Sequence, residues 1–293
     1  MKPAAFAYER PATLAEALAL KARHGDEARF IAGGQSLVPA MNFRMAQPGM
    51  LIDVGQVEGL DTIAYDTAGT LTIGARARYR AIERHPEIIA RHPLIPEALH
   101  EVAHPQIRNR GTLAGNCCHA DPASEMPMVM LTLGARFLAT SAAGERLIEA
   151  ADFFLGALTT ALSPEEMLAR IAIPPLPDRC GTAFLELSRR KGDYAMMGVA
   201  AVIALDADGR IAEARLGFCN AGITPRVAPA AAALLKTQAP EAAAFAEAAS
   251  MAQTEIEPGG TLQASPDYQR HLAGVLARRA LAIAASRASE TLA

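Results

Sequence analysis

An α+β protein of more than one domain is what the sequence predicts, and three observations carry that reading. The N-terminal part alternates a helix pattern with short apolar strands. The middle holds hairpin patterns around a proline-broken helical stretch, and further strand-like runs precede an alanine-rich helical end. At 293 residues the chain also exceeds the roughly 250 at which single hydrophobic cores stop growing.

The elements follow from local pattern. Thr13 and Glu16 form a capping box, Leu14, Ala17, Leu18 and Lys21 recur at helical spacing and Gly25 supplies a stop, so a helix is expected over 13–24. An apolar strand over 28–31 and another over 50–54 complete a small α/β unit. Ile63 to Tyr65 and Thr70 to Ile73 read as a hairpin turned at Ala68-Gly69. From Arg78 to Ala103 the pattern is helical but broken at Pro86, Pro93 and Pro96, and a polar segment from Gln106 to Arg110 follows. A helix over 124–133 and a hairpin of 135–141 with 145–148 come next.

Pro174-Pro175-Leu176-Pro177-Asp178 can continue neither a ladder nor a helix, which places a domain boundary there. Beyond it, 182–187, 198–205 and 211–219 are strand-like, with Asp206-Ala207-Asp208-Gly209 as a turn. The patch from Ala230 to Ala249 has ordinary helix composition. Ser265-Pro266 opens a last helix whose buried face is expected to carry Leu272, Val275, Leu276, Ala280 and Ile283.

Composition narrows the function. Hydrophobic residues make up 51% and charged residues 20%, as in soluble globular proteins, and the net charge of −3 offers no basic surface for nucleic acid. The N-terminus lacks the apolar core of a signal peptide and no stretch has the length of a membrane span, so a cytoplasmic protein is expected. Four cysteines are too few for a disulfide scaffold. Only Cys117 and Cys118 are close in sequence, and the C-x4-C-x2-C run of a plant-type iron-sulfur cluster is missing, so small packed thiols are expected and no metal. His85, His92, His100 and His104 lack metal-ligand spacing and read as surface or packing residues.

Two glycine-bearing segments exceed what turns require. In Ile31-Ala32-Gly33-Gly34-Gln35-Ser36-Leu37, successive glycines let consecutive N–H groups converge on phosphate oxygens, with Ser36 and Gln35 adding side-chain donors. The second, Thr112-Leu113-Ala114-Gly115-Asn116, follows Arg108 and Arg110 and precedes His119-Ala120-Asp121-Pro122-Ala123-Ser124-Glu125. Two small-residue loops can clamp a diphosphate from both sides; the competing reading is two unrelated turns. Neither G-x-G-x-x-G opening a helix nor G-x-x-x-x-G-K-[ST] occurs, which argues against a Rossmann site and a P-loop.

The AGGQSL loop, TLAGN with the following HADPASEMP, SRRKGDYAM and the terminal SPDYQRHLAGVLARRAL together resemble the FAD-binding medium subunit of the molybdenum hydroxylases, the family of carbon monoxide dehydrogenase and of the xanthine dehydrogenase flavin domain. The resemblance implies two α/β FAD-binding subdomains of the vanillyl-alcohol oxidase (PCMH-like) class, at 1–57 and 58–176. A C-terminal α+β domain with antiparallel sheet and helices follows at 177–293. It implies that Ile31, Ala32, Gly33, Gly34, Gln35, Ser36 and Leu37, with Thr112, Gly115 and Asn116, hold the cofactor at its pyrophosphate. It sets Ser124 and Glu125 near the ribityl or diphosphate portion, Leu168 with Asp193 and Tyr194 against the isoalloxazine, and Val102 where xanthine dehydrogenases carry an aromatic. From residue type alone, Asp193-Tyr194 reads as a turn aspartate and a half-buried tyrosine.

Two departures stand out. Gln35 replaces a histidine frequent in the carbon monoxide dehydrogenases, and Glu186 stands where relatives often have lysine, so no cationic contact to the flavin is expected there. No cysteine-bearing insertion of the hydroxybenzoyl-coenzyme A type is visible.

By resemblance, FAD is this chain's cofactor. A large subunit with the molybdopterin cofactor and a small subunit with two [2Fe-2S] clusters are its partners, in a dimer of heterotrimers. The chain would take electrons from the small subunit and pass them to an external acceptor, with no catalytic side chain of its own. Rival readings are a stand-alone FAD oxidoreductase, an NAD-linked flavin reductase and a non-enzymatic assembly protein. A flavin spectrum separates the last from the others.

Overall fold

The computed structural model describes residues 2–290. Two compact units emerge: one takes the chain up to Ile82, with His104–His119 and Ala135–Pro174, and the other takes Glu83–Ala103, Ala120–Gly134 and the chain from Pro175.

The first unit opens with β1 (Ala7–Glu9), β2 (Ala28–Ile31) and β3 (Met50–Asp53), a parallel sheet in the order β1-β3-β2. The helix Leu14–His24 forms as its sequence predicts. Thr13 Oγ1 accepts from the Glu16 amide at 3.2 Å, the Glu16 carboxylate accepts from the Thr13 amide at 3.2 Å, and Gly25 closes the end. Its Ala17 and Leu18 pack in one core with Ala28, Met50 and Ile52. Lys21 is buried, and its ammonium donates to the Gly25 and Ala28 carbonyls, each at 2.7 Å. That clasp holds the helix end against the start of β2. Desolvation, and then Arg29, lower the Lys21 ammonium, which the two carbonyls keep hydrogen-bonded.

The second sheet of this unit uses β4 (Ile63–Tyr65), β5 (Leu71–Gly74), β6 (Arg136–Ser141), β7 (Gly144–Glu149) and β10 (Met167–Ile173), in the antiparallel order β4-β5-β10-β6-β7. A two-stranded ribbon, β8 (Phe154–Gly156) with β9 (Thr159–Thr160), precedes β10. Both predicted hairpins form. The central strand β10 had no place in the sequence reading, because a short and mostly apolar run does not show whether it is strand or helix until a partner fixes its period.

In the second unit, β11 (Cys180–Ser188), β12 (Ala195–Leu205), β13 (Ile211–Cys219) and β14 (Arg226–Val227) form an antiparallel sheet in that order. The helix Pro266–Glu290 lies along β11 and β12. Its seam is made of Leu272, Ala273, Leu276, Ala277, Ala280, Leu281 and Ala284, all buried. Val275 and Ile283, expected on that face, are only half-buried. Small alanines take their place because the helix approaches the strand too closely for larger side chains: a Cβ added to Gly181 would lie 2.5 Å from the Ala288 nitrogen.

The alanine-rich patch forms Pro229–Leu235 and Ala242–Ala252. The prolines of the middle segment begin helices as well as interrupt them. Pro86 is the first residue of Pro86–Arg91 and Pro93 precedes Leu94–Leu99; in the first unit, Pro105 opens the short helix Pro105–Arg108 inside what reads as a polar segment. No helix among the described residues is long and apolar enough to cross a membrane.

Candidate functional site

In the first unit, β2 delivers Ile31 to a glycine turn. Gly34 takes φ +71°, a conformation cheap only for glycine, and the Gln35 side-chain amide donates to the Gly33 carbonyl at 2.9 Å. Bonds from the Val38 amide to Gly34 and from the Ala40 amide to Ser36, both 3.1 Å, lead into the helix Leu37–Asn42. Among the described residues, no chain acceptor meets the amides of Gly34, Gln35 or Ser36. Three successive free donors on a turn with a left-handed residue are the geometry that binds phosphate oxygens.

This turn packs against the second glycine segment. A Cβ added to Gly33 would lie 2.8 Å from the Gly111 Cα and would also strike the Arg110 backbone. The facing loop is pinned in turn by the bond from the Tyr79 amide to the Gly111 carbonyl at 2.9 Å. The structure therefore brings together two segments far apart in sequence.

It also changes the second one: the residues after Thr112 form a helix, Leu113–His119, and not a loop. Leu113, Ala114 and Cys117 bury one face of it, while Gly115 is exposed on the other. Thr112 caps its start, with Oγ1 accepting from the Gly115 amide at 3.0 Å. Asn116 extends the turn through its amide to the Thr112 carbonyl at 3.1 Å. Leu168, on β10, is buried. Cys117 and Cys118 diverge, one buried and one exposed, and no group of three or more potential metal ligands gathers among the described residues.

The second unit carries the other residues singled out by sequence. Ser124 precedes the helix Glu125–Thr132, and both Ser124 and Glu125 are buried, as is Val102. The loop before that helix is held by the Asn220 amide on the Pro122 carbonyl at 2.7 Å and by the Ala123 amide on Asp121 Oδ1 at 2.9 Å. Asp193 closes a turn through its amide to the Arg190 carbonyl at 3.0 Å, leaving Tyr194 64% exposed. Partial desolvation and then the charges of Asp121 and Glu125 raise the Tyr194 phenol.

Burial pushes the Glu125 carboxyl up to about 7, opposed by its own backbone N–H and reinforced by Asp121 and Glu101. Burial, then the charges of Glu125 and Glu101, push Glu186 on β11 up to about 9. The sequence reading noted Glu186 only as a departure from relatives. Its one local signal was a charged residue inside the apolar run Ala183-Phe184-Leu185-Glu186-Leu187.

Comparison with known proteins places this geometry. A family described as "FAD binding domain in molybdopterin dehydrogenase" matches residues 4–176, and one described as "CO dehydrogenase flavoprotein C-terminal domain" matches 182–284. The 6-hydroxypseudooxynicotine dehydrogenase complex subunit alpha of Paenarthrobacter nicotinovorans is 38% identical over 99% of this chain and 98% of its own. The carbon monoxide dehydrogenase medium chain of Afipia carboxidovorans is 36% identical over 98% and 99%. A solved chain of carbon monoxide dehydrogenase from Hydrogenophaga pseudoflava superposes with a TM-score of 0.94 at 35% identity, covering 98% of this chain and 99% of that one. The free amides at the glycine turn, the fold that presents them and the end-to-end similarity agree: the chain belongs to the FAD-binding medium-subunit family of the molybdopterin dehydrogenases.

Proposed function

We propose that this chain is the FAD-carrying electron-transfer subunit of a molybdenum hydroxylase. In that assembly it works with a large molybdopterin subunit and a small subunit bearing two [2Fe-2S] clusters, as a cytoplasmic dimer of heterotrimers. The observation that carries the reading is the trio of acceptor-free amides at Gly34, Gln35 and Ser36, on a turn pressed against Gly111 by a glycine that tolerates no side chain. These residues fit a diphosphate, and FAD has one where FMN does not.

Bound FAD supplies two-electron redox chemistry that can be filled and emptied one electron at a time. The chain's own residues do the holding. The amides of Gly34, Gln35 and Ser36 would donate to phosphate oxygens, and the helix beginning after Thr112 exposes Gly115, which has no side chain to obstruct approach. On the second unit, Ser124, Glu125, Asp193 and Tyr194 are proposed to meet the ribityl chain and ring. The exposed phenol of Tyr194 is the candidate ring cover, and Val102 and Leu168 serve as apolar backing. Subdomains at 1–57 and 58–176 and a C-terminal domain from 177 are the proposed division of the gene product. The hydroxylated substrate is chosen by the large subunit, so it varies among relatives whose flavin subunits are alike.

Denaturing the purified chain and chromatographing the released cofactor tests this reading. FAD is the expected product; FMN, or no flavin after reconstitution, overturns it.

A further inference from the structure

The turn that presents free amides in the first unit is built on adjacent glycines, the residue type that least fixes the plane of a peptide. Gly34 stands at φ +71°, and Gly33 has no side chain on the other side of the same peptide bond, so neither restrains its rotation. A peptide left free here swings the Gly34 N–H out of the cradle as well as into it.

The restraint comes from a neighbouring side chain. Gln35 folds back over the turn, and its Nε2 donates to the Gly33 carbonyl at 2.9 Å. No peptide bond among the described residues is cis, and in a planar trans unit the carbonyl and the N–H that follows it point in opposite directions. Fixing the Gly33 carbonyl therefore fixes the Gly34 N–H. The next unit is set in the same way by backbone: the Gly34 carbonyl accepts from the Val38 amide at 3.1 Å, which turns the Gln35 N–H to the opposite side. Any residue at 38 with an N–H supplies that second anchor. The first depends on a side chain, for among the described residues no other donor reaches the Gly33 carbonyl.

We propose that Gln35 is a positioning residue for the FAD diphosphate, whose side chain locks the Gly33–Gly34 peptide so that the Gly34 N–H faces the phosphate oxygens. The proposal rests on the FAD reading above and gives one side chain of the turn a task distinct from direct contact. Residue type alone makes Gln35 a donor to phosphate; the structure spends its amide on the chain instead. A donor aimed before the ligand arrives costs no ordering at the moment of binding.

The test is FAD binding to the apo-protein by calorimetry, together with the phosphorus NMR spectrum of the bound cofactor. Gln35→Met, close in length and volume but without a donor, is expected to raise the FAD dissociation constant by about tenfold. It should also move the phosphorus resonances of the diphosphate while the flavin absorption bands, which report the ring, stay in place. Gln35→His carries its Nε2 as many bonds from Cβ as glutamine does, and is expected to bind within about threefold of wild type. Wild-type affinity in Gln35→Met overturns the proposal. So does a loss that leaves the phosphorus resonances unmoved or that histidine does not recover, since either marks lost packing and not lost aim. All three outcomes leave the FAD assignment standing, whereas a wild-type protein that binds no FAD overturns the assignment itself.

Discussion

A methyl group at Gly33 would sit 2.8 Å from the Gly111 Cα, against backbone that cannot rotate away. Gly33→Ala is therefore expected to separate the two glycine segments and reduce FAD retention by about tenfold or more, since close packing does not absorb such a clash. The ratio of flavin absorbance to protein absorbance checks it; stoichiometric FAD in the variant would mean the contact is dispensable. Gly34 fails differently: at φ +71° any side chain is strained even where space exists. Tyr194, by contrast, is largely exposed. Tyr194→Ala should keep full FAD while altering flavin fluorescence and the rate of reoxidation. Unchanged spectra and kinetics would return it to the role of a surface tyrosine.

Elements hold these residues through short-range devices and close packing. The helix Leu14–His24 depends on a reciprocal cap at Thr13 and Glu16, so Thr13→Ala should cost about 1 kcal/mol in denaturant unfolding. The helix Pro266–Glu290 depends on proximity, its alanines seated on β11 over Gly181. Gly181→Ala should destabilise the protein by about 1–3 kcal/mol, by forcing helix and strand apart. Both are read from urea midpoints at constant m-value, and a change within error at Gly181 would contradict the packing described.

At the scale of the whole molecule, the carboxyls of Glu125 and Glu186 tie stability to pH. Each has a native pKa raised from 4.5, to about 7 and about 9, so between those limits the folded protein holds protons that the unfolded chain releases. Stability of the apo-protein, as far as these groups decide it, is thus expected to be greatest below about pH 4.5, to fall as pH rises through about 7, and to level off above about 9. In Glu186→Gln the upper part of that decline should flatten, which thermal unfolding at a series of pH values would reveal. The proposed function also makes the molecule dependent on partner subunits. Alone it should hydroxylate no substrate, whereas with a molybdenum subunit and an iron-sulfur subunit it should copurify through an interface above about 1,000 Å² and have its flavin bleached by substrate under anaerobic conditions. Replacing Cys117 and Cys118 by serine should leave iron per complex unchanged. Iron held by the cysteine pair would refute the division of cofactors.

Much of the structure is local enough to be written in the sequence. The capped helix after Thr13, the two hairpins, the Asp206–Gly209 turn and the glycine turn at Gly33-Gly34 each rest on side-chain chemistry or periodicity within a few residues. What tertiary structure decided is whatever needs a distant partner. The assignment of Met167–Ile173 as the central strand between β5 and β6, and of Ala7–Glu9 as an edge of the parallel sheet, came only from pairing. Leu113–His119 is helical because one face of it is buried, which its glycine disguised. The contact of Gly33 with Gly111 and the burial of Glu186 among other acids join residues separated by scores of positions, and no local rule assigns such neighbours. Local pattern fixes period and turn chemistry; only the packed chain fixes which backbone meets which, and which charges are left in the dark together.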